Sequence, residues 1–279
     1  MTTVEVFAPA KINLTLHVTG RRGDGYHLLE SLGVFARDLG DRITAEAADE
    51  LSLRVTGPFA GGVPSGEDNL VLKAARLMQR GGSLGARLTV EKNLPHGGGL
   101  GGGSAEAAAT IKALSQLWGV DPLTSGEALE IGADVPVCLH APRPALMRGI
   151  GEIVEAAPPL PPFWLVLVNP GVVISTGEVF ERLGGCFSAS APAIPPEGFL
   201  AWLLDQRNDL ARSMDEFCPD VIACLEALRL EPGCAKADMS GSGSTCWGMF
   251  QSEADARSAA RDVSLNNPKW WVRATAVAG

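Results

Sequence analysis

The chain has 279 residues, 46% hydrophobic and 20% charged, with 32 acidic against 23 basic side chains and a net charge of −9. Such a length suits one large or two modest domains of about 100–200 residues each, with enough core to fold without disulfides or structural metal. The acidic balance and the lack of a Lys/Arg cluster argue against a nucleic-acid partner, whose phosphates demand a basic face.

The longest clearly apolar stretch, residues 163–168, falls far short of the roughly 20 residues a membrane-spanning helix needs. The N-terminus has no charged-then-apolar signal pattern, so a cytoplasmic protein without a membrane partner is expected. The six cysteines are widely spread, with neither a C-x-x-C pair nor histidines at zinc-finger spacing, and read as free thiols in a reducing compartment.

In chain order, residues 3–8 and 13–19 alternate apolar and polar side chains as strands do, and so do 42–47, 51–56 and 87–92. Residues 69–80 carry Leu70, Ala74, Leu77 and Met78 at helical spacing and stop at Gly81-Gly82. A stronger, alanine-rich helix is expected over 104–118, closed by Gly119. Four prolines within residues 158–162 can continue neither a helix nor a central strand, which places a domain boundary between 157 and 158. Beyond it the pattern predicts a buried strand over 163–169 and helices near 176–183, 199–205 and 220–230. Strands near 235–239 and 245–250, a helix over 252–263 and a last strand over 270–277 follow, an order that suggests a split α/β sandwich.

Residues 95–104 read PHGGGLGGGS, directly between a predicted strand and a predicted helix. Glycine at this density admits positive φ and lets backbone amides face an anion, to which a helix N-terminus adds partial positive charge. A phosphate cradle and a flexible linker are the two readings, and a helix abutting the glycines favours the cradle. Gly97, Gly99 and Gly102 formally satisfy G-x-G-x-x-G, but no clean strand with an acidic end follows, which argues against a dinucleotide oxidoreductase. No Gly-Lys pair exists for a P-loop, and the protein-kinase motifs are missing. A second loop, Ser240-Gly241-Ser242-Gly243-Ser244, is a plain turn or a second phosphate contact.

Taken with Pro9-Ala10-Lys11-Ile12-Asn13-Leu14, Arg22-Gly23-Asp24-Gly25-Tyr26-His27 and Gly132-Ala133-Asp134-Val135-Pro136, the glycine loop resembles those of the galactose, homoserine, mevalonate and phosphomevalonate (GHMP) kinase superfamily. Within it the chain looks most like the branch that phosphorylates the 2-hydroxyl of 4-diphosphocytidyl-2-C-methyl-D-erythritol in non-mevalonate isoprenoid biosynthesis. The resemblance runs in ordered motifs from Ala8 to about Glu152, and thinly through residues 163–180 and 240–245. It implies an α+β GHMP kinase fold: a ribosomal-protein-S5-like N-terminal domain, residues 1–157, and a ferredoxin-like C-terminal α/β sandwich, residues 158–279, with the active site between them. It also implies ATP as donor, with Mg2+ carried on the ATP phosphates rather than in a carboxylate cage, and a small-molecule partner.

The same resemblance makes Asp134 the proton acceptor and Lys11 its catalytic neighbour; without it, Asp134 would equally be a helix or turn cap and Lys11 a solvated charge. It assigns Asn69, Lys92, Pro95, Gly97, Gly98, Gly99, Leu100, Gly101, Gly102, Gly103 and Ser104 to ATP, although Asn69 could simply cap the next helix. To the substrate it assigns Asn13, Tyr26, His27, Thr176, Phe180, Ser240, Gly241, Ser242 and Gly243. Tyr26 would stack on cytosine, His27 would bond its edge and Phe180 would close the other side. A turn packed on the core and a core position on a helix are the alternatives for Tyr26-His27 and Phe180. Where the family usually has Ser-Ser followed by Asp or Asn, this chain has Ser104-Ala105-Glu106. A homoserine- or mevalonate-type kinase and a non-catalytic nucleotide-binding module are the rival functions.

Overall fold

Backbone pairing in the computed structural model, which describes residues 2–277, begins with four strands: β1 (Thr3–Asn13), β2 (His17–Arg21), β3 (His27–Ala48) and β4 (Leu51–Thr56). Packing divides the molecule into two compact units that are discontinuous in sequence. The first unit takes the chain up to Lys11, Leu39–His96 and Gly101–Ala141; the second takes Ile12–Asp38, Gly97–Leu100 and the chain from Pro142 on.

In the first unit β4 runs parallel to β5 (Gly85–Glu91), which pairs antiparallel with the C-terminal half of β3, Arg42 facing Glu91 and Ala48 facing Gly85. Helix α1 (Leu70–Gln79) buries Val71, Leu72, Ala74, Ala75 and Met78; of the expected stripe Ala74 and Met78 are buried, while Leu70 and Leu77 are half-buried. Helix α2 (Gly102–Trp118) buries Ala105, Ala107, Ala108, Ala109, Ile111, Ala113 and Leu114, small side chains that let neighbouring helices approach closely. It starts two residues before the expected Ser104. Glycine is a poor helix former, costing about 1 kcal/mol against alanine, so its presence in this first turn points to a demand for space. Two short helices, α3 (Ser125–Leu129) and α4 (Val135–Leu139), complete the unit; a Thr124/Glu127 capping box starts the first of them.

The second unit holds an antiparallel four-stranded sheet of β8 (Trp164–Asn169), β9 (Lys236–Met239), β10 (Cys246–Phe250) and β11 (Trp271–Ala276), in the order β11-β8-β10-β9. Helices α8 (Pro219–Leu230) and α9 (Glu253–Asn266) pack on it, with Val166, Val168, Val221, Leu225, Leu228, Phe250 and Val263 in the shared core. This is the ferredoxin-like sandwich expected. Between β8 and α8 lie the short helices α5 (Thr176–Glu181), α6 (Phe199–Leu204) and α7 (Met214–Phe217). The N-terminal half of β3 pairs with β2 and with β6 (Ala145–Gly149), which in turn pairs with β7 (Ile153–Ala156).

Three features depart from the sequence pattern. The strand expected over 13–19 is broken: β1 ends at Asn13, the Leu16 N–H turns to the Arg207 carbonyl, and β2 begins at His17. β3 is far longer than residues 42–47, because Ser31–Ala36 is buried on both faces and shows no alternation. Gly40 lies within the same continuous strand for a steric reason, since a Cβ there would lie 2.3 Å from the Ala8 carbonyl oxygen and 2.7 Å from the Phe7 ring. β6 and β7 are short and carry no pattern of their own. All six cysteines are free, and Cys138, Cys218, Cys224 and Cys246 are buried.

Candidate active site

In the first unit the Lys11 ammonium donates to Asp134 Oδ2 at 2.8 Å, with the lysine side chain 3% and the aspartate 36% exposed. Asp134 occupies the N-cap position of α4 but makes no capping bond with its side chain. The cap alternative therefore describes its backbone and not its carboxylate, which is turned to Lys11 and partly open. An ammonium at that distance stabilises negative charge developing nearby.

Gly101 joins this pair to the glycine loop. Its φ is 61°, and a Cβ on it would lie 3.2 Å from Lys11 Cε. As N-cap of α2 it offers no side chain, and no acidic residue stands in the helix's first turn. The first N–H groups of a 17-residue helix are thus left for an external acceptor, the arrangement that suits a phosphate. Gly97, Gly99 and Gly101 have φ of 66°, 74° and 61°, a backbone conformation that glycine adopts at little cost. Gly102, Gly103 and Ser104 form the half-buried first turn of α2, while Pro95 and Leu100 are buried at the loop's edges.

Two residues expected at ATP are otherwise engaged. Asn69 caps α1 through Oδ1, which accepts from the Val71 N–H at 2.8 Å, while its Nδ2 donates to the Pro64 carbonyl at 2.6 Å. Lys92 is buried and donates to both Asp41 Oδ2 and Glu106 Oε1, each at 2.6 Å. Burial alone would lower the pKa of this ammonium, but Glu106 and Asp41 outweigh it and raise it. Glu106, the departure from the family's Asp or Asn, is one arm of this triad. Asp41 escaped the sequence reading because no motif surrounds it; the Thr124/Glu127 signal of the helix preceding Asp134 was legible but unused.

In the second unit the His27 and Phe180 rings stack with centroids 4.8 Å apart and planes 22° from parallel. Burial, then Arg21, holds the His27 pKa below its ordinary value, so the ring is neutral at pH 7 and offers one donor and one acceptor. Tyr26 is 61% exposed. Thr176 at the start of α5 exchanges a hydrogen bond with the Ser242 hydroxyl at 2.8 Å.

The second loop is built against Asn13 and Gly99. Ser240 Oγ accepts from the Asn13 N–H at 3.1 Å and donates to the Gly99 carbonyl at 2.8 Å. Gly243 N–H bonds to the Ser240 carbonyl at 3.0 Å, closing the turn, and Gly241 has φ of 56°. The Ser31 hydroxyl donates to the Thr15 carbonyl and so must accept from Asn13 Nδ2, which leaves Asn13 Oδ1 buried without a donor. An orphaned acceptor of this kind is costly, and a ligand donor would satisfy it.

Two family models match the chain, GHMP kinases N terminal domain over residues 69–142 and GHMP kinases C terminal over residues 197–269. The 4-diphosphocytidyl-2-C-methyl-D-erythritol kinase of Jannaschia sp. is 52% identical over 274 residues, covering 97% of this chain and 96% of its own. A kinase of the same name from Cereibacter sphaeroides is 50% identical with 99% of both chains covered. The chain belongs to this family of GHMP kinases. A crystal structure of 4-(cytidine 5'-diphospho)-2C-methyl-D-erythritol kinase superposes with a TM-score of 0.81 at 33% identity, over 99% of this chain and 100% of the other. A mevalonate kinase from L. major has a TM-score of 0.70 at 16% identity, over 98% and 96% of the two chains, and shares the fold alone. Among the described residues no helix is long and apolar enough to cross a membrane.

Proposed function

We propose that the protein transfers the γ-phosphoryl group of ATP to the 2-hydroxyl of 4-diphosphocytidyl-2-C-methyl-D-erythritol, a step of non-mevalonate isoprenoid biosynthesis in the cytoplasm. The observation that carries this reading is the Lys11–Asp134 pair beside Gly101, at the uncapped N-terminus of α2. Phosphoryl transfer to an alcohol needs positioning, charge neutralisation and somewhere for the hydroxyl proton to go. Asp134 takes that proton, Lys11 stabilises the oxygen losing it, the new P–O bond forms and the bond to ADP breaks. The N–H groups of residues 97–104 hold the phosphates, framed by Pro95 and Leu100. Mg2+ would ride on the ATP phosphates, being a cation that keeps waters and phosphate ligands rather than requiring an all-protein cage, and would offset the charge of the phosphates. Asn69 and Lys92 serve the nucleotide indirectly, by fixing the backbone around it.

Tyr26, His27 and Phe180 recognise the cytosine, with the tyrosine and phenylalanine as stacking faces and the neutral histidine at the base edge. Asn13 Oδ1, Thr176 and the loop from Ser240 to Gly243 take the rest of the diphosphate ester. The proline-rich division between residues 157 and 158 separates the two functional halves of the sequence, and the two family models fall on either side of it.

A homoserine- or mevalonate-type activity is disfavoured, because relatives near 50% identity carry the cytidyl kinase name whereas the mevalonate kinase is 16% identical. A non-catalytic nucleotide-binding module would have no use for the Lys11–Asp134 pair. The deciding assay supplies MgATP with a panel of the cytidyl ester, homoserine and mevalonate and follows ADP. Release with the cytidyl ester alone is expected; release with another alcohol, or nucleotide binding without turnover, would overturn the proposal.

A further inference from the structure

We infer that Asp41, Lys92 and Glu106 form a buried clamp that fixes both ends of the glycine loop relative to each other, and so sets the geometry in which its amides meet nucleotide phosphates. The inference rests on the reading of that loop as the ATP-phosphate site. All three are positioning residues: their side chains are 0%, 2% and 3% exposed, and none has a surface to offer a ligand.

Asp41 uses both carboxylate oxygens. Oδ2 accepts from Lys92 Nζ, while Oδ1 accepts from the backbone N–H of Asn93 at 2.6 Å and of Leu94 at 2.9 Å. Those amides belong to the segment that leads into the loop. Glu106 lies on α2, just past the loop's far end, and accepts from the same ammonium at 2.6 Å. One lysine therefore ties strand β3 and the incoming segment to the outgoing helix.

The clamp also lies directly under the helix start. A Cβ on Gly102 would come within 2.8 Å of Lys92 Nζ and 3.5 Å of Asp41 Oδ2, so this first residue of α2 is glycine because the ammonium occupies the space. That accounts for glycine at the first position of the helix. Two carboxylates share one ammonium, and a buried ion group of this kind is weak as a source of stability compared with an apolar core of the same volume. What it supplies is directional bonds of defined length between the strand, the incoming segment and the glycine-rich start of α2.

The test compares wild type with Glu106→Ala, which cuts the link to α2 but leaves Lys92 paired with Asp41, and with Glu106→Gln, which keeps an acceptor. Initial rates are measured against MgATP and against the cytidyl ester separately, with amide hydrogen exchange on the free proteins. The clamp predicts that Glu106→Ala raises KM for MgATP by about tenfold, changes kcat and the other KM by less than about threefold, and speeds exchange over residues 93–105. Glu106→Gln should restore KM for MgATP to within about threefold of wild type. An Ala variant with wild-type KM and exchange overturns the clamp, as does one whose exchange quickens throughout the unit with both KM values rising together. Should Glu106→Ala not fold, Asp41→Asn carries the test: faster exchange at Asn93 and Leu94 with weaker MgATP binding supports the clamp, and unchanged exchange there overturns it. If wild type releases no ADP with any alcohol, the functional reading fails, while the exchange comparison still decides the clamp.

Discussion

Lys11 and Asp134 are 123 positions apart in the chain and joined by a 2.8 Å charge-assisted hydrogen bond. The lysine comes from β1 and the aspartate from the residue that opens α4. Neither residue is fixed by local structure alone. The lysine has no other carboxylate partner within ion-pair distance among the described residues, and the aspartate forgoes its helix cap. The proposed function places the chemistry at this pair because the carboxylate has given up its usual local role for a partner distant in sequence.

Replacing Asp134 with Asn preserves shape and removes the proton acceptor. Turnover should fall by about 10²–10⁴-fold, with MgATP affinity little changed. Steady-state kinetics together with calorimetric titration of the nucleotide checks both halves; near-wild-type kcat would leave Asp134 a positioning group only.

Removing either proposed stacking face, Phe180 beside His27 or the exposed Tyr26, should act on the other substrate. Base stacking is worth about 1–3 kcal/mol, so Phe180→Ala or Tyr26→Ala should raise KM for the cytidyl ester by about 5- to 150-fold. The KM for MgATP should stay put. An unchanged KM for the ester in both variants would remove cytosine recognition from this cluster.

Gly99 and Gly171 separate conformational strain from crowding. Both have positive φ, 74° and 82°, but a Cβ on Gly99 would lie 2.3 Å from the Ser240 carbonyl oxygen, whereas Gly171 has nothing within 4 Å. Gly171→Ala should cost about 1 kcal/mol in thermal or urea unfolding with activity intact. Gly99→Ala should cost more and abolish productive MgATP binding, because backbone must move. Equal losses in the two variants would show that the Ser240 contact is dispensable.

Stability should carry the imprint of Glu106, whose pKa is pushed up to about 7, chiefly by burial, with Lys92 opposing and Asp41 adding to the rise. A folded-state pKa above the ordinary 4.5 means that the folded protein binds the proton more tightly than the unfolded chain. This contribution to stability is therefore full below the ordinary value and is lost as pH rises through about 7. Glu106→Gln cannot titrate, so its stability relative to wild type should climb across that window and level off above it. Urea unfolding at a series of pH values measures the difference; a difference independent of pH would show that Glu106 does not titrate in this window.

Much of the fold was legible because its signals are local. The helix expected over residues 69–80, of whose stripe Ala74 and Met78 are buried, and the alanine-rich run before Gly119 each report backbone preference or one buried face. Asn69 was readable as a cap for the same reason. β3 was not, since burial on both faces erases alternation and Gly40 reads as a turn until β1 is known to press against it. The helix start was misplaced by two residues because glycine disfavours helix unless space beneath it demands glycine, and that space is filled by Lys92.

Taken alone, the order of residues determined the family, and it raised the expectation of a phosphate loop because backbone-driven binding needs glycine at fixed spacing whatever surrounds it. The resemblance had already set Lys11 beside Asp134, as the structure shows; only the tertiary structure gave Lys92 to Asp41 and Glu106. The reason is physical: an ammonium's role depends on the carboxylates within about 3 Å and on how much water remains around them. Both are properties of residues distant in sequence.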